Sequence, residues 1–214
     1  MVLKPFQGII FDMDNTLLKS NIDFDKMKKE VYAFLLAEGF IQESSTWQDK
    51  TASQWIEAGR EHQDFHHIES RVWALVEEIE AEGMKGAQLE PCATDLLNQL
   101  KEQGKILTIL TNNAFSAAKE ALEQLSIFNL FDLVVGREHM EALKPSPSGV
   151  HFIMDRWKEI RPHAWVLIGD SWIDGMAAQK AGIPFIAYQA ASAHLQEKGI
   201  TPVKDILNLT ELMD

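Results

Sequence analysis

The chain has 214 residues, 46% of them hydrophobic and 24% charged, an ordinary globular composition that excludes a disordered or fibrous chain. That length suits one large domain, or one domain that carries a smaller insert. The formal charge of −12 argues against a polyanion-binding surface, so nucleic acid is not an expected partner.

The first apolar run, Ile9–Phe11, reads as a buried strand that breaks abruptly into "DMDNT", Asp12 to Thr16. From Lys19 to Gly86 no strand is apparent. Helical spacing is found near Asp25–Ala37, Thr46–Gly59 and Ile68–Glu82. Gly83, Gly86 and Pro91 then mark a return to a different rhythm. Beyond them come "KILTIL" (Lys105–Leu110), "DLVVG" (Asp132–Gly136), "WVLIG" (Trp165–Gly169) and "PFIAY" (Pro184–Tyr188). These runs are continuous rather than alternating, as strands buried on both faces of a parallel sheet require. Helical stretches separate them at Ala114–Leu125, Ser148–Ile160 and Trp172–Gly182, the last closed by its glycine.

Strand and helix in alternation predict an α/β protein with a doubly wound, Rossmann-like parallel sheet. The predicted core is residues 1–18 and 87–214, with an inserted all-helical cap at 19–86. An insert directly after the first strand is expected to act as a lid over the carboxyl edge of the sheet, where such folds bind ligands. Cys92 is the only cysteine, so no disulfide framework or cysteine cluster forms, and it reads as a small buried hydrophobe. No apolar stretch is long enough for a membrane span and the amino terminus lacks a signal-peptide pattern, so a cytoplasmic protein with no membrane partner is expected.

The polar residues that follow the strands form one set. Asp12 and Asp14 follow the first strand, Thr111, Asn112 and Asn113 follow "KILTIL", and Asp170 follows "WVLIG" with Asp174 four residues on. Lys144 lies in the loop "LKPSPSG". In a parallel sheet all of these project into one crevice. Asp12 and Asp170 can share a divalent cation, and hard oxygen ligands with few protein contacts suit Mg²⁺. The metal and the Lys144 ammonium would offset the repulsion between the acids. An ionised Asp12 can then attack phosphorus to form an aspartyl phosphate, while Asp14 protonates the departing oxygen and later takes a proton from water. Thr111, Asn112, Lys144 and the backbone at Met13 are candidates to hold the transferred phosphoryl oxygens.

Each piece also has a plainer reading. Asp, Asn and Thr are good helix caps, so "DMDNT" or "TNN" alone can be a capping turn. Lys144 alone is a surface lysine. Asp174 alone is a solvated helix residue. It is the four pieces in order, each at a strand end, that carry weight.

Together they resemble the four ordered motifs of the haloacid dehalogenase superfamily: "DMDNT", Thr111, Lys144 before Pro145, and "GDSWID". The resemblance spans nearly the whole chain, and the helical insert is similar in position to the small cap of phosphoglycolate-phosphatase-like members. It implies Asp12 as nucleophile, Asp14 as general acid/base, and Mg²⁺ held by Asp12, the backbone carbonyl of Asp14, and Asp170. It implies for Asp174 either the metal shell or a hold on the lysine. Dehalogenase members lack the second acid, so the presence of Asp14 favours phosphoester chemistry. Asn15 stands where the mutases carry glycine, and "LLKSNIDF" offers no hinge histidine, so hydrolysis of a small phosphorylated metabolite is favoured over a phosphomutase. Phosphoglycolate, a nucleotide monophosphate, a sugar phosphate and pyrophosphate all fit that description. A receiver-like signalling domain shares the Asp, Thr and Lys but not the adjacent acid.

Within the insert, His62 and His66 are four apart, with His67 beside them. That spacing can hold zinc, yet without a further ligand it reads as a solvated helix face. Trp47, Trp55, Phe65 and Trp73 read as the core of the insert, and Phe24 and Trp172 as candidate walls of a substrate pocket.

Overall fold

The computed structural model describes residues 2–42 and 46–213. In chain order its elements begin with β1 (Gly8–Phe11), β2 (Leu18–Lys19), α1 (Phe24–Ala37), α2 (Ala52–Arg60), α3 (Glu69–Met84), β3 (Gln88–Leu89) and α4 (Ala93–Glu102). They continue with β4 (Ile106–Leu110), α5 (Phe115–Gln124), β5 (Leu133–Val135), α6 (Ser148–Met154) and β6 (Trp165–Gly169). The last are α7 (Trp172–Ala181), β7 (Phe185–Tyr188), α8 (Ser192–Glu197) and β8 (Lys204–Ile206). The chain divides into two compact units, residues 1–20 with 87–214, and residues 21–86.

The larger unit is the expected α/β core. Its six-stranded sheet has the order β5-β4-β1-β6-β7-β8, and every pairing in it is parallel. β1 sits in the middle and is buried along its whole length, which is why its sequence is apolar without alternation. Ile10, Leu110 and Leu167 point to one face, where they pack with Val150 and Ile153 of α6 and Ala177 and Ala178 of α7. α4 packs on β4. A separate two-stranded ribbon pairs Leu18 with Leu89 in antiparallel fashion, and Glu90 N–H donates to Leu17 O across the same ribbon.

The smaller unit is helical. Val31 and Leu35 of α1 and Val72 and Val76 of α3 are buried, as are Trp55 and Phe65. Tyr32 packs edge-on against Trp55 and Phe40 against Phe65, so Trp55 and Phe65 belong to the unit's own core, whereas Trp47 and Trp73 are only half-buried. No described helix is long and apolar enough to cross a membrane.

Several expectations need correction. The predicted helix over Thr46–Gly59 is broken into a short 3-10 turn, Trp47–Asp49, and α2. Thr51 restarts the helix, because its hydroxyl accepts from Gln54 N–H while Gln54 Oε1 accepts from Thr51 N–H. Gly83 lies inside α3 rather than at a turn, and a Cβ there would come within 2.3 Å of Ile22 Cα. Helix α6 stops at Met154, six residues before the predicted end at Ile160. Cys92 is exposed, with φ +64 ahead of α4, and is not a core residue. His62 lies beyond the end of α2, and His66 and His67 sit in a 3-10 turn, so they share no helical face. All three are exposed.

Candidate active site

Sheet register brings the candidate residues together. Phe11 pairs with Ile109 on one side and with Ile168 on the other, so Asp12, Thr111 and Asp170 leave neighbouring strands within about one residue of the same level. Asp12 N–H still donates to Ile168 O at 2.9 Å, which holds the first acid at the sheet edge. β1 is flanked by β4 and β6, whose connections run in opposite directions, and this is where doubly wound sheets open a crevice.

Lys144 is the hub. Its Nζ donates to Asp12 Oδ1 at 2.6 Å, to Asp174 Oδ1 at 2.7 Å and to Leu110 O at 2.8 Å. An ammonium has three N–H donors, and all three have an acceptor here. Burial at 2% exposure by itself disfavours the charge, but the two carboxylates outweigh it and hold the Lys144 ammonium above its ordinary range. The lysine is therefore a permanent cation. The other oxygen of Asp12, Oδ2, accepts from Thr16 Oγ1 at 3.2 Å, a contact that sequence reasoning missed.

One cation faces three acids. Asp12, Asp170 and Asp174 each offer a carboxylate oxygen, and these lie within 4.8 Å of one another. Burial and the charges of Asp12 and Asp174 push Asp170 up to about 8, with Lys144 opposing. Asp174 is pushed up to about 6 by burial, against the pull of Lys144, with Asp12 adding to the rise. Such crowding is what a divalent cation would relieve, and an all-oxygen donor set fits Mg²⁺. Asp174 also accepts from Ser171 N–H at 3.2 Å, so one of its oxygens caps α7 while the other holds the lysine. Gly169 makes this approach possible, because a Cβ there would meet Asp174 Cβ at 2.6 Å.

The end of β4 organises the other side. Asn112 Oδ1 accepts from Lys144 N–H at 2.9 Å and its Nδ2 donates to Lys144 O at 3.1 Å, a two-point grip on the lysine's main chain. Thr111 is buried, and its Oγ1 accepts from Asn113 N–H at 3.1 Å. Asn113 Nδ2 donates to Asp14 Oδ2 at 2.7 Å. Asp14 follows Met13, whose side chain is buried and whose carbonyl accepts from Leu17 and Leu18 N–H at 3.0 and 2.9 Å. Asn15 completes this tight turn with φ +57, a conformation that asparagine tolerates better than most residues.

The haloacid dehalogenase-like hydrolase family model matches residues 9–188, a span that contains Asp12, Asp14, Thr111, Lys144, Asp170 and Asp174. The chain belongs to that family. A phosphoglycolate phosphatase from Rhodobacter capsulatus is 30% identical over 191 residues, covering 85% of this chain and 83% of its own. One from Yersinia pseudotuberculosis is 27% identical, with 86% and 81% covered. Among solved structures, a haloacid dehalogenase-like family hydrolase from Streptococcus pneumoniae superposes with a TM-score of 0.64 at 22% identity, covering 98% of each chain. The HAD-hydrolase YfnB of Bacillus subtilis, bound to magnesium, gives 0.60 at 22% identity, covering 97% of this chain and 96% of its own. At those identities the structures establish the fold of this member of the family.

Proposed function

We propose that this family member is a Mg²⁺-dependent phosphatase of a small phosphorylated metabolite, working through an aspartyl phosphate on Asp12. The observation that carries the reading is the arrangement of Asp12 between Lys144 at 2.6 Å and a cluster of two further acids, Asp170 and Asp174. A carboxylate in that setting offers an oxygen fixed at the sheet edge and is the nucleophile. Its oxygen attacks phosphorus while the ester P–O bond breaks, and Asp14 gives its proton to the leaving oxygen. Asp14 then takes a proton from water, whose oxygen attacks the phosphorus and frees Asp12.

Lys144, Thr111 and the main chain at Met13 and Asn112 surround the transferred phosphoryl group in this reading, where stabilisation of developing charge does most of the work. Mg²⁺ would be held by Asp12, Asp170 and the Asp14 carbonyl, with Asp174 serving chiefly to hold Lys144. When bound it supplies positive charge opposite the phosphoryl oxygens. The helical insert of residues 19–86 is read as the cap that selects the substrate.

Phosphoglycolate is the first substrate to test, since relatives that align with more than four-fifths of the chain carry that activity in their names. The test is a turnover panel of phosphoglycolate, a sugar phosphate, a nucleoside monophosphate and pyrophosphate, each with Mg²⁺ and with EDTA. Sustained Mg²⁺-dependent release of phosphate supports the proposal. A single stoichiometric labelling without turnover would favour a receiver-like switch instead.

A further inference from the structure

Asn113 has no role in the chemistry described so far, yet its side chain is hydrogen-bonded to the proposed acid/base. Nδ2 lies 2.7 Å from Asp14 Oδ2, and both residues are buried, at 5% and 8% exposure. The amide is itself held from both sides. Its main-chain N–H donates to Thr111 Oγ1 at 3.1 Å, and its carbonyl accepts from Arg137 N–H at 2.9 Å. Gly136 permits that second contact, because a Cβ there would come within 2.5 Å of Phe115 N and 3.0 Å of Asn113 O. A side chain with a fixed main chain and little room loses little entropy in making one hydrogen bond.

The chemical type of the residue matters as much as its place. An amide has both a donor and an acceptor, so it can bond a carboxylate through N–H and a carboxylic acid through C=O. A group that must give up a proton and take one back in each cycle needs a partner of that kind.

We propose that Asn113 is a positioning residue that holds the Asp14 carboxyl in line for proton transfer to the leaving oxygen. This rests on the phosphatase reading above and adds to it a residue outside the motif set. The experiment compares two esters of similar shape, phenyl phosphate and p-nitrophenyl phosphate. The nitro group makes the second leaving group stable without a proton, so a misplaced acid harms the first ester more.

Asn113→Leu keeps the branched four-atom side chain and removes the donor, and Asn113→Ser is a smaller second variant. Thermal melting followed by circular dichroism checks that each is folded. In both, kcat/KM for phenyl phosphate should fall by roughly tenfold more than for p-nitrophenyl phosphate, part of the 10²–10⁴ that general acid catalysis supplies. In an Asp14→Asn background, adding Asn113→Leu should leave the ratio of the two esters unchanged, since the group it acts through is gone. Equal losses on both esters, or the same change of ratio in the Asp14→Asn background, would overturn the assignment alone. A wild-type protein that hydrolyses neither ester nor any member of the metabolite panel would overturn the phosphatase reading, and this assignment with it.

Discussion

The Lys144 ammonium and the Asp12 carboxylate meet at 2.6 Å at the carboxyl edge of the sheet, 132 residues apart in the chain. Asp174 closes the group from a third element at 2.7 Å. Removing the cation while leaving the acids is the severest change available, because breaking a buried pair typically costs about 3–5 kcal/mol. Lys144→Met should therefore abolish turnover and lower the melting temperature strongly at pH 8. At pH 5 the loss should be smaller, since acids without a cation beside them take up protons and tolerate burial. Melting curves at the two pH values decide it, and an equal loss at both would mean that the lysine matters for packing alone.

A second prediction concerns the metal. In the metal-free protein Asp170 holds its proton up to about pH 8 and Asp174 up to about 6, through burial and the charge of Asp12. Unfolded, both release it near pH 4, about the ordinary aspartate value. Between those limits the folded chain binds more protons than the unfolded one, so this group's contribution makes stability fall as pH rises from about 4 towards 8. Mg²⁺ competes with the same protons, so its stabilising effect should grow over that window. The rise in melting temperature from EDTA to Mg²⁺ should be larger at pH 8 than at pH 6. A rise that is flat or shrinks would remove the acid cluster as the binding site.

The grip of Asn112 on Lys144 gives a milder test. Asn112→Ala removes both hydrogen bonds to the lysine's main chain. Each buried group left without a partner costs about 1–3 kcal/mol. Lowered stability together with a fall in kcat is expected. Retained kcat at unchanged stability would show that the lysine loop keeps its place without the amide.

How much of this was legible depends on burial. β1, β4, β6 and β7 stand out as unbroken apolar runs because they are interior strands covered on both faces. β8 escapes notice because it is an edge strand of three residues, Lys204–Ile206, only the last of them buried. Asp12, Thr111 and Asp170 could be placed near one another because each follows such a run. Nothing local distinguishes Asn112 from Asn113. Their division of labour follows from how the chain turns at the end of β4, which aims one amide at Lys144 and the next at Asp14. Likewise, Thr16 looks like one more cap residue until the turn after β1 brings its hydroxyl back to Asp12.

Gly169 should tolerate no side chain. A Cβ would sit 2.6 Å from Asp174 Cβ and Cγ, a separation that forces either β6 or α7 to move. Gly169→Ala should therefore displace Asp174 and loosen its hold on Lys144. Losses typical of overpacking are about 1–3 kcal/mol. Activity should fall further than that destabilisation alone would produce at a temperature where the variant is fully folded. A variant with native kcat would mean that the Asp174–Lys144 contact at 2.7 Å is dispensable.

The last prediction separates stability from chemistry at the same atom. Asp12→Asn replaces the proposed nucleophile by an amide of nearly the same shape, which cannot form the acyl phosphate, so turnover should disappear. Stability should move the other way or not at all. Asp12 is one of the charges that push Asp170 and Asp174 up, and its removal relieves repulsion within the cluster. Against that, Lys144 loses one of its two carboxylate partners but keeps Asp174 and the Leu110 carbonyl. In EDTA the variant should melt at or above the wild-type temperature. In Mg²⁺ the order should reverse, because a site that has lost one acid gains less from the cation. An inactive variant that also melts far below wild type in EDTA would mean that the attraction between Asp12 and Lys144 outweighs the repulsion among the acids. The active cluster would then be a source of stability rather than strain.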